Sequence, residues 1–312
     1  SALLGRRLHE STGIKYGIDY IDPWVHSFPG SKQLFSRHWL STRLAKFLEP
    51  IAIKKAALIT GVAEGYYKAV LERNPYLKKQ AVCGAMPYGG EEQDHAAVPG
   101  LGIEPYLFQH KAGKLQFVYA GAMLPKAYKP LEAVFSAIAS NKRPFTNVEF
   151  HFIGTGSSAN DNTSYTIKPL AEKYGLWQTL IFEYPKRIPY LDVLVHLDMA
   201  DAVFILGSTE AHYTPSKTYQ GVLSKKPLMA ILHKESTAVE VIRDARAGLV
   251  LDFDGEKETQ LIENNFVQFF ENFLLFFKSF QPAQVKLKVF EQYSAKNVTR
   301  HLALLLDEAL TK

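Results

Sequence analysis

Cysteine is nearly absent from this sequence: Cys83 is the single one in 312 residues. That excludes an internal disulfide framework and fits a reducing compartment. Cys83 itself lies in a short apolar run, 80–86, a poor setting for a nucleophile. Long hydrophobic runs are missing too. The longest aromatic stretch, 266–280, is interrupted by Gln268, Glu271, Asn272 and Lys278, too short and too polar to span a bilayer. No serine–histidine–aspartate order, metal-ligand spacing or P-loop can be read along the chain. Nor is there zinc-knuckle spacing or a basic helix, and a net charge of +5 is too mild and too scattered for nucleic acid. With a pI near 9.0, that charge suits anionic ligands or contact with an acidic membrane surface.

What is present is an ordinary globular composition, 47% apolar and 21% charged, over a length sufficient for two domains. One stretch, 200–231, organises the rest. Residues 202–206 form an apolar, β-branched run of the kind that makes a buried parallel strand. Gly207, Ser208 and Thr209 break it. Pro215 and Ser216 suit a first helical turn, with a hydroxyl placed to cap free amides. A helix is expected over 217–223, ended by Lys225, Lys226 and Pro227, and 228–232 is the next strand. Lys217, the amides at 216–218 and the helix dipole together predict an anion site.

Pro215-Ser216-Lys217, followed by Tyr219-Gln220 and Lys226-Pro227, resembles the donor-site signature of nucleotide-sugar glycosyltransferases of the two-Rossmann GT-B fold. The resemblance implies an α/β protein with parallel sheets and helices on both faces, its first domain partial. In that family the second glutamate of an E-x7-E pair holds the donor ribose. Counted back from the Lys-Pro, Gln220 stands at that position and His212 at the first glutamate, with Glu210 nearby. Both positions depart from the pattern, which weakens the donor-sugar assignment more than the nucleotide one, because an amide still hydrogen-bonds ribose. Glu210 and His212 are thus the donor-sugar candidates.

The first segment resembles the later half of the family's N-terminal domain. The end of a helix is expected over 3–10, a strand over 15–21 and Asp22-Pro23-Trp24 after it. A long amphipathic helix follows over 36–57 with Leu40, Leu44, Phe47 and Leu48 on one face. A strand at 57–60, a helix over 64–72 and a strand over 80–86 lead to the turn Pro87-Tyr88-Gly89-Gly90. The family's opening strands and its glycine-rich loop have no counterpart here, and Ser1-Ala2 looks like a cloning remnant, which favours truncation. The stretch 93–114, rich in Pro, Gly and His, reads as the interdomain linker. The domains expected are therefore 1–108, with a C-terminal helix over 293–312 packing back on it, and a donor domain over 109–292.

The donor domain opens with a strand over 115–120, then Gly121 and a loop carrying Lys126 and Lys129. The resemblance implies that Gly121 and Lys126 meet the donor diphosphate, although Ala122 stands where the family prefers arginine. A strand over 147–153 precedes Gly154, Thr155 and Gly156, the family's strand-Gly-x-Gly. Literally, 154–159 also matches the dinucleotide fingerprint G-x-G-x-x-A, with Glu183 about where a ribose-binding acid belongs. An NAD-dependent Rossmann enzyme is the alternative, and a non-catalytic nucleotide-binding protein a further one. The resemblance puts the nucleobase at the loop 183–189, with Tyr184, Arg187 and Ile188 as candidates. A helix over 190–199, a helix over 236–245, a strand over 248–251 and an aromatic-faced helix over 259–280 complete the domain.

The resemblance implies a hexosyltransferase of the retaining branch, moving a sugar from a nucleoside diphosphate sugar to a glycan or lipid-linked acceptor in surface polysaccharide synthesis. The nucleotide-binding residues it implies are Gly121, Lys126, Gly154, Gly156, Tyr184, Arg187, Ile188, Ser216, Lys217 and Gln220. No metal is expected, since two lysines and a helix dipole can neutralise the leaving group, and no other cofactor. The expected location is cytoplasmic, peripheral to the inner membrane face.

Overall fold

A computed structural model describes residues 2–26 and 31–312. Ser1, of the Ser1-Ala2 pair named above, lies outside the described residues. The chain divides into two compact units, 1–88 with 295–312, and 89–294. The stretch read as a linker over 93–114 belongs to the second unit.

In the first unit α1 (Ala2–Thr12) leads to β1 (Gly17–Tyr20), α2 (Arg37–Ile53), β2 (Leu58–Gly61), α3 (Glu64–Arg73) and β3 (Val82–Ala85). The three strands pair in parallel in the order β1-β2-β3. Ser36 caps α2, its hydroxyl accepting from the Trp39 amide at 3.0 Å. Tyr20, Ile53, Ile59, Tyr66 and Val70 make the core. The buried Glu49 accepts two hydrogen bonds from Arg73, at 2.7 and 3.0 Å. Of the four residues on the apolar face expected of α2, Leu48 is half-buried and the other three are exposed. Ala45, Glu49, Ala52 and Ile53 are buried, whereas Leu40, Leu44 and Phe47 are exposed.

In the second unit α4 (Glu92–Ala97) precedes β4 (Leu115–Ala120), α5 (Tyr128–Ser140), β5 (Val148–Ile153), α6 (Lys168–Lys173), β6 (Ile181–Tyr184) and α7 (Tyr190–Met199). Then come β7 (Ala202–Leu206), α8 (Lys217–Leu223), β8 (Leu228–His233), α9 (Thr237–Asp244), β9 (Gly248–Phe253) and α10 (Thr259–Ser279). The last helix, α11 (Ala295–Thr311), belongs to the first unit, where Leu305 and Ala309 pack with Leu58 and Val82. The six strands of the second unit are all parallel, in the order β6-β5-β4-β7-β8-β9. That is the doubly wound order, which reverses direction between β4 and β7. Glu183 and Tyr184 finish β6 rather than lying in the loop after it.

One face of this sheet is covered by α5 and α10. Phe270 stacks on Phe145 at 4.3 Å between centroids, and Phe273 meets Phe117 at 5.4 Å. The aromatic stripe of α10 is therefore core, and among the described residues no helix is long and apolar enough to cross a membrane. The opposite face carries buried polar groups. Gln116, Glu149 and His151 alternate along β4 and β5 on that face, and the segment 105–111 is strapped across them. Phe108 stacks flat on His151 at 3.7 Å, the Leu107 amide donates to His196 Nε2 at 3.2 Å, and Lys111 Nζ reaches Glu149 at 2.9 Å.

Burial holds His151 well below its ordinary pKa of 6.5, against the opposing pull of Glu149, and burial lowers His196 likewise. Both rings are therefore neutral in the folded chain. With the folded value depressed, the stabilisation is fully present above pH 6.5 and is lost as the pH falls through the folded values. The thermal midpoint is expected to fall on acidification below 6.5, and a His151→Phe variant, which keeps the ring stack, to lose part of that slope. An unchanged slope in the variant contradicts the assignment.

Candidate functional site

Where strand order reverses, the loops after β4 and β7 leave in opposite directions and open a crevice at the carboxyl ends of the strands. Gly121, at the end of β4, has φ +133°, a conformation that side chains rarely adopt. A Cβ there would stand 3.0 Å from Lys217 Cε. The missing side chain is thus the space into which Lys217 projects from the start of α8. Lys217 Nζ donates to the Tyr119 hydroxyl at 2.9 Å and sits 4.4 Å from the centre of that ring. Tyr119 is fully buried, which drives its pKa upward, and its hydroxyl donates onward to the Ala122 carbonyl at 3.1 Å. A neutral phenol positions the ammonium without cancelling its charge, and Lys217 has no carboxylate partner among the described residues.

Lys126 lies in the 3₁₀ turn Pro125–Ala127 and points at the other loop. Its Nζ is 3.0 Å from Glu210, and its carbonyl accepts from the Thr209 amide at 3.1 Å. Lys126 and Glu210, assigned to different parts of the donor, thus meet each other. His212 is half-buried in the turn that follows. Thr214 and Ser236 pin this turn to the start of α9, through Thr237 and the Tyr213 carbonyl, each at 2.7 Å. The capping expected of Ser216 is not made: it precedes α8 in helical conformation, with no side-chain cap bond. Of the amides at 216–218, that of Thr218 is spent on the Pro215 carbonyl at 3.1 Å. Gln220, one turn after Lys217, is held by His95, whose Nε2 is 2.8 Å from its amide oxygen, and it also hydrogen-bonds Tyr190. Tyr190 in turn donates to Asp94 at 3.0 Å.

Along the sheet edge, the Gly121 amide donates to the Ile153 carbonyl and the Gly154 amide to the Tyr184 carbonyl, each at 2.8 Å. Gly154, with φ +71°, faces Arg187, whose Cα would lie 3.6 Å from an added Cβ. These contacts lead from Lys217 to a cavity of about 380 Å³ beyond β6. Tyr184, Arg187 and Ile188 all line it, together with Lys186, Tyr106 and Asn162. Burial raises the Tyr184 pKa to about 12, so its hydroxyl stays protonated, 3.2 Å from His151 Nδ1.

Glu183 does not serve as a ribose acid. Its carboxylate is buried and accepts from the amides of Thr166, Ile167 and Lys168 at 2.9, 3.0 and 2.8 Å, and from the Thr155 hydroxyl at 2.6 Å. It anchors the whole loop 155–168. No helix starts after Gly156, where an added Cβ would collide with Ser164 Oγ, and α6 begins only at Lys168. The dinucleotide alternative thereby lacks both its tight turn and its acid. In a Glu183→Gln variant one N–H donor would face the loop amides, costing about 1–3 kcal/mol. A lowered unfolding midpoint with faster hydrogen exchange at amides 166–168 is expected; exchange unchanged there contradicts the anchoring role.

Several of these groups escaped sequence reasoning: His95, Tyr190 and Asp94 around Gln220, Tyr119 beneath Lys217, and the polar row Gln116, Glu149 and His151. The last had a signal in β5, where the polar residues Glu149 and His151 stand two positions apart in an otherwise apolar strand. Cys83 is half-buried in β3, and burial raises its thiol pKa.

Neither a protein-family model nor a curated protein matches the sequence. Solved structures do match by shape. A UDP-forming α,α-trehalose-phosphate synthase from Burkholderia xenovorans superposes with a TM-score of 0.70 at 12% identity, over 100% of this chain and 72% of that one. HepE from Anabaena, solved with UDP-glucose, gives 0.67 at 14%, over 98% and 76%. A sucrose-phosphate synthase from Thermosynechococcus elongatus gives 0.65 at 12%, over 99% and 71%. With its parallel sheets, its doubly wound second unit and these neighbours, the chain has the two-domain GT-B fold.

Proposed function

We propose that this protein is a glycosyltransferase that takes its sugar from a nucleoside diphosphate donor. The observation that carries the reading is the path from Lys217, across Gly121 and Gly154, to the cavity lined by Tyr184, Arg187 and Ile188. A cation at a strand-order reversal suits a diphosphate, and an aromatic-lined cavity farther along the same edge suits a base. Two structural neighbours are described as UDP-forming and as bound to UDP-glucose, which favours uridine and a glucose-type sugar here. The acceptor is proposed to be a glycan or lipid-linked sugar in surface polysaccharide synthesis. Sugar phosphate is the second choice, since one neighbour was solved with glucose-6-phosphate. Retention of anomeric configuration and work at the cytoplasmic face of a membrane belong to the same proposal.

In the reaction the bond between the anomeric carbon and the diphosphate oxygen breaks, the electron pair leaves with the diphosphate, and an acceptor hydroxyl oxygen forms the new bond to that carbon, its proton passing to the departing diphosphate. Lys217, held in place by Tyr119, is set to stabilise the charge that develops there, and fixed geometry lowers the barrier further. Lys126 is the second cation, available once it exchanges Glu210 for phosphate. Glu210, once Lys126 has turned to phosphate, would accept from sugar hydroxyls.

Lys217→Ala is expected to lower kcat by about 10²–10³-fold, the scale of one lost preorganised donor. Stabilisation by UDP, read as a rise in the thermal midpoint, should shrink in the same variant. UDP that stabilises neither protein, nor GDP or ADP, sinks the proposal. Glu210→Gln frees Lys126, so free UDP should bind up to about fivefold tighter, the worth of a half-exposed ion pair. Turnover of the sugar donor should fall in the same protein. Weaker UDP binding in Glu210→Gln would contradict the exchange.

A further inference from the structure

Four side chains around Gln220 form a hydrogen-bonded chain that the leaving-group chemistry does not use. Asp94 and His95 come from α4, Tyr190 opens α7, and Gln220 lies in α8. The ion pair of Lys225 with Glu92, at 2.9 Å, ties α4 to the residues just past α8. The direction of the chain follows from its acceptor-only end. A carboxylate cannot donate, so the Tyr190 hydroxyl gives its hydrogen to Asp94, at 3.0 Å. Burial and the Asp94 carboxylate push that phenol up to about 12, and the hydrogen stays. With its one hydrogen spent, the Tyr190 oxygen accepts from Gln220, which must turn its NH2 group that way.

The amide oxygen of Gln220 then faces His95 Nε2 at 2.8 Å, and an oxygen there takes only a donor. Burial holds His95 below its ordinary pKa of 6.5, so the neutral ring carries its single N–H on Nε2. Tautomer and amide orientation are thus fixed together. One N–H of the Gln220 amide goes to Tyr190, and the other has no partner among the described residues. Gly90 leaves that nitrogen room, since a Cβ there would stand 3.3 Å from it. Tyr190 follows Pro189, which lines the cavity of about 380 Å³, and Gln220 stands one helical turn from Lys217. The bond between them therefore joins the two ends of the donor site. A nucleoside diphosphate with its phosphates at Lys217 and its base in the cavity has its ribose between them; the inference rests on that reading of the donor. We propose that His95 is a positioning residue, which aims the spare N–H of Gln220 at a ribose hydroxyl oxygen and so makes the site select for the ribose hydroxyls. A glutamate at this position would offer acceptors only, whereas here the ribose oxygen is the acceptor.

The test is calorimetric titration of the whole chain with UDP, GDP and ADP, each beside its dideoxyribose counterpart, which lacks both ribose hydroxyls. The ribose form of the diphosphate that binds is expected to bind about fivefold to tenfold more tightly, the worth of one hydrogen bond. His95→Phe, which keeps a ring but no N–H, should bring the two affinities together. His95→Gln places an amide N–H near the same point and should keep most of the difference. Gln220→Met should abolish the difference as well. Adding His95→Phe to Gln220→Met should change it no further, because His95 acts only through Gln220. A merely structural histidine would weaken both forms alike and leave their ratio unmoved. Equal binding of the two forms by the wild-type protein overturns the inference and leaves the donor reading standing, as does a difference retained in His95→Phe. Binding of none of the diphosphates overturns both.

Discussion

The arrangement of the second unit depends on the reversal of strand order between β4 and β7. In a parallel sheet every strand ends at the same edge, so every loop that follows a strand faces the same way. Between β4 and β7 alone, successive loops diverge to opposite sides, and no connecting helix closes the gap. Everything assembled there follows from that gap. Gly121 is bare because Lys217 comes in from the far loop, and Tyr119 is buried where it can receive the ammonium. The two loops also touch directly, through Lys126 and Glu210 and through the backbone bond from Thr209.

The electrostatics of the crevice are uneven by construction. A lysine held by a phenol keeps its full charge, whereas a lysine held by a carboxylate is largely neutralised until an anion displaces its partner. Lys217 and Lys126 exemplify the two cases a few residues from the same strand ends. Gln220 sits on the same helix as Lys217, but both ends of its amide are engaged, by His95 and Tyr190. A glutamate there would present only acceptors, so the departure from the family pattern comes with a surrounding built for an amide.

Much of this was legible in the sequence where the pattern was regular. β4, α7, β7 and α8 lie within the ranges expected from apolar runs and from Gly and Pro punctuation. Lys217 beside Gly121, and Tyr184 with Arg187 and Ile188 in one cavity, follow motifs whose order along the chain is itself informative. What failed were inferences that needed a partner distant in sequence. Glu183 looked like a ligand because its position was right, but its neighbours 155–168 consume it. Leu40, Leu44 and Phe47 looked like a core face because periodicity reports that a helix is two-sided, not which side is covered. The covered side is that of Ala45, Glu49, Ala52 and Ile53.

The strap at 105–111 bears on how the protein can be divided. Its residues Tyr106 and Leu107 form part of the cavity wall, and Phe108, Lys111 and the Leu107 amide hold it to the sheet. A fragment cut at the boundary the composition suggests, after residue 108, would lose that wall and bare His151 and His196 to water. A fragment beginning at Gly89 would carry the strap with it. The practical edge of the second unit is therefore set by which segment closes its polar face, and not by where glycine and proline crowd the chain.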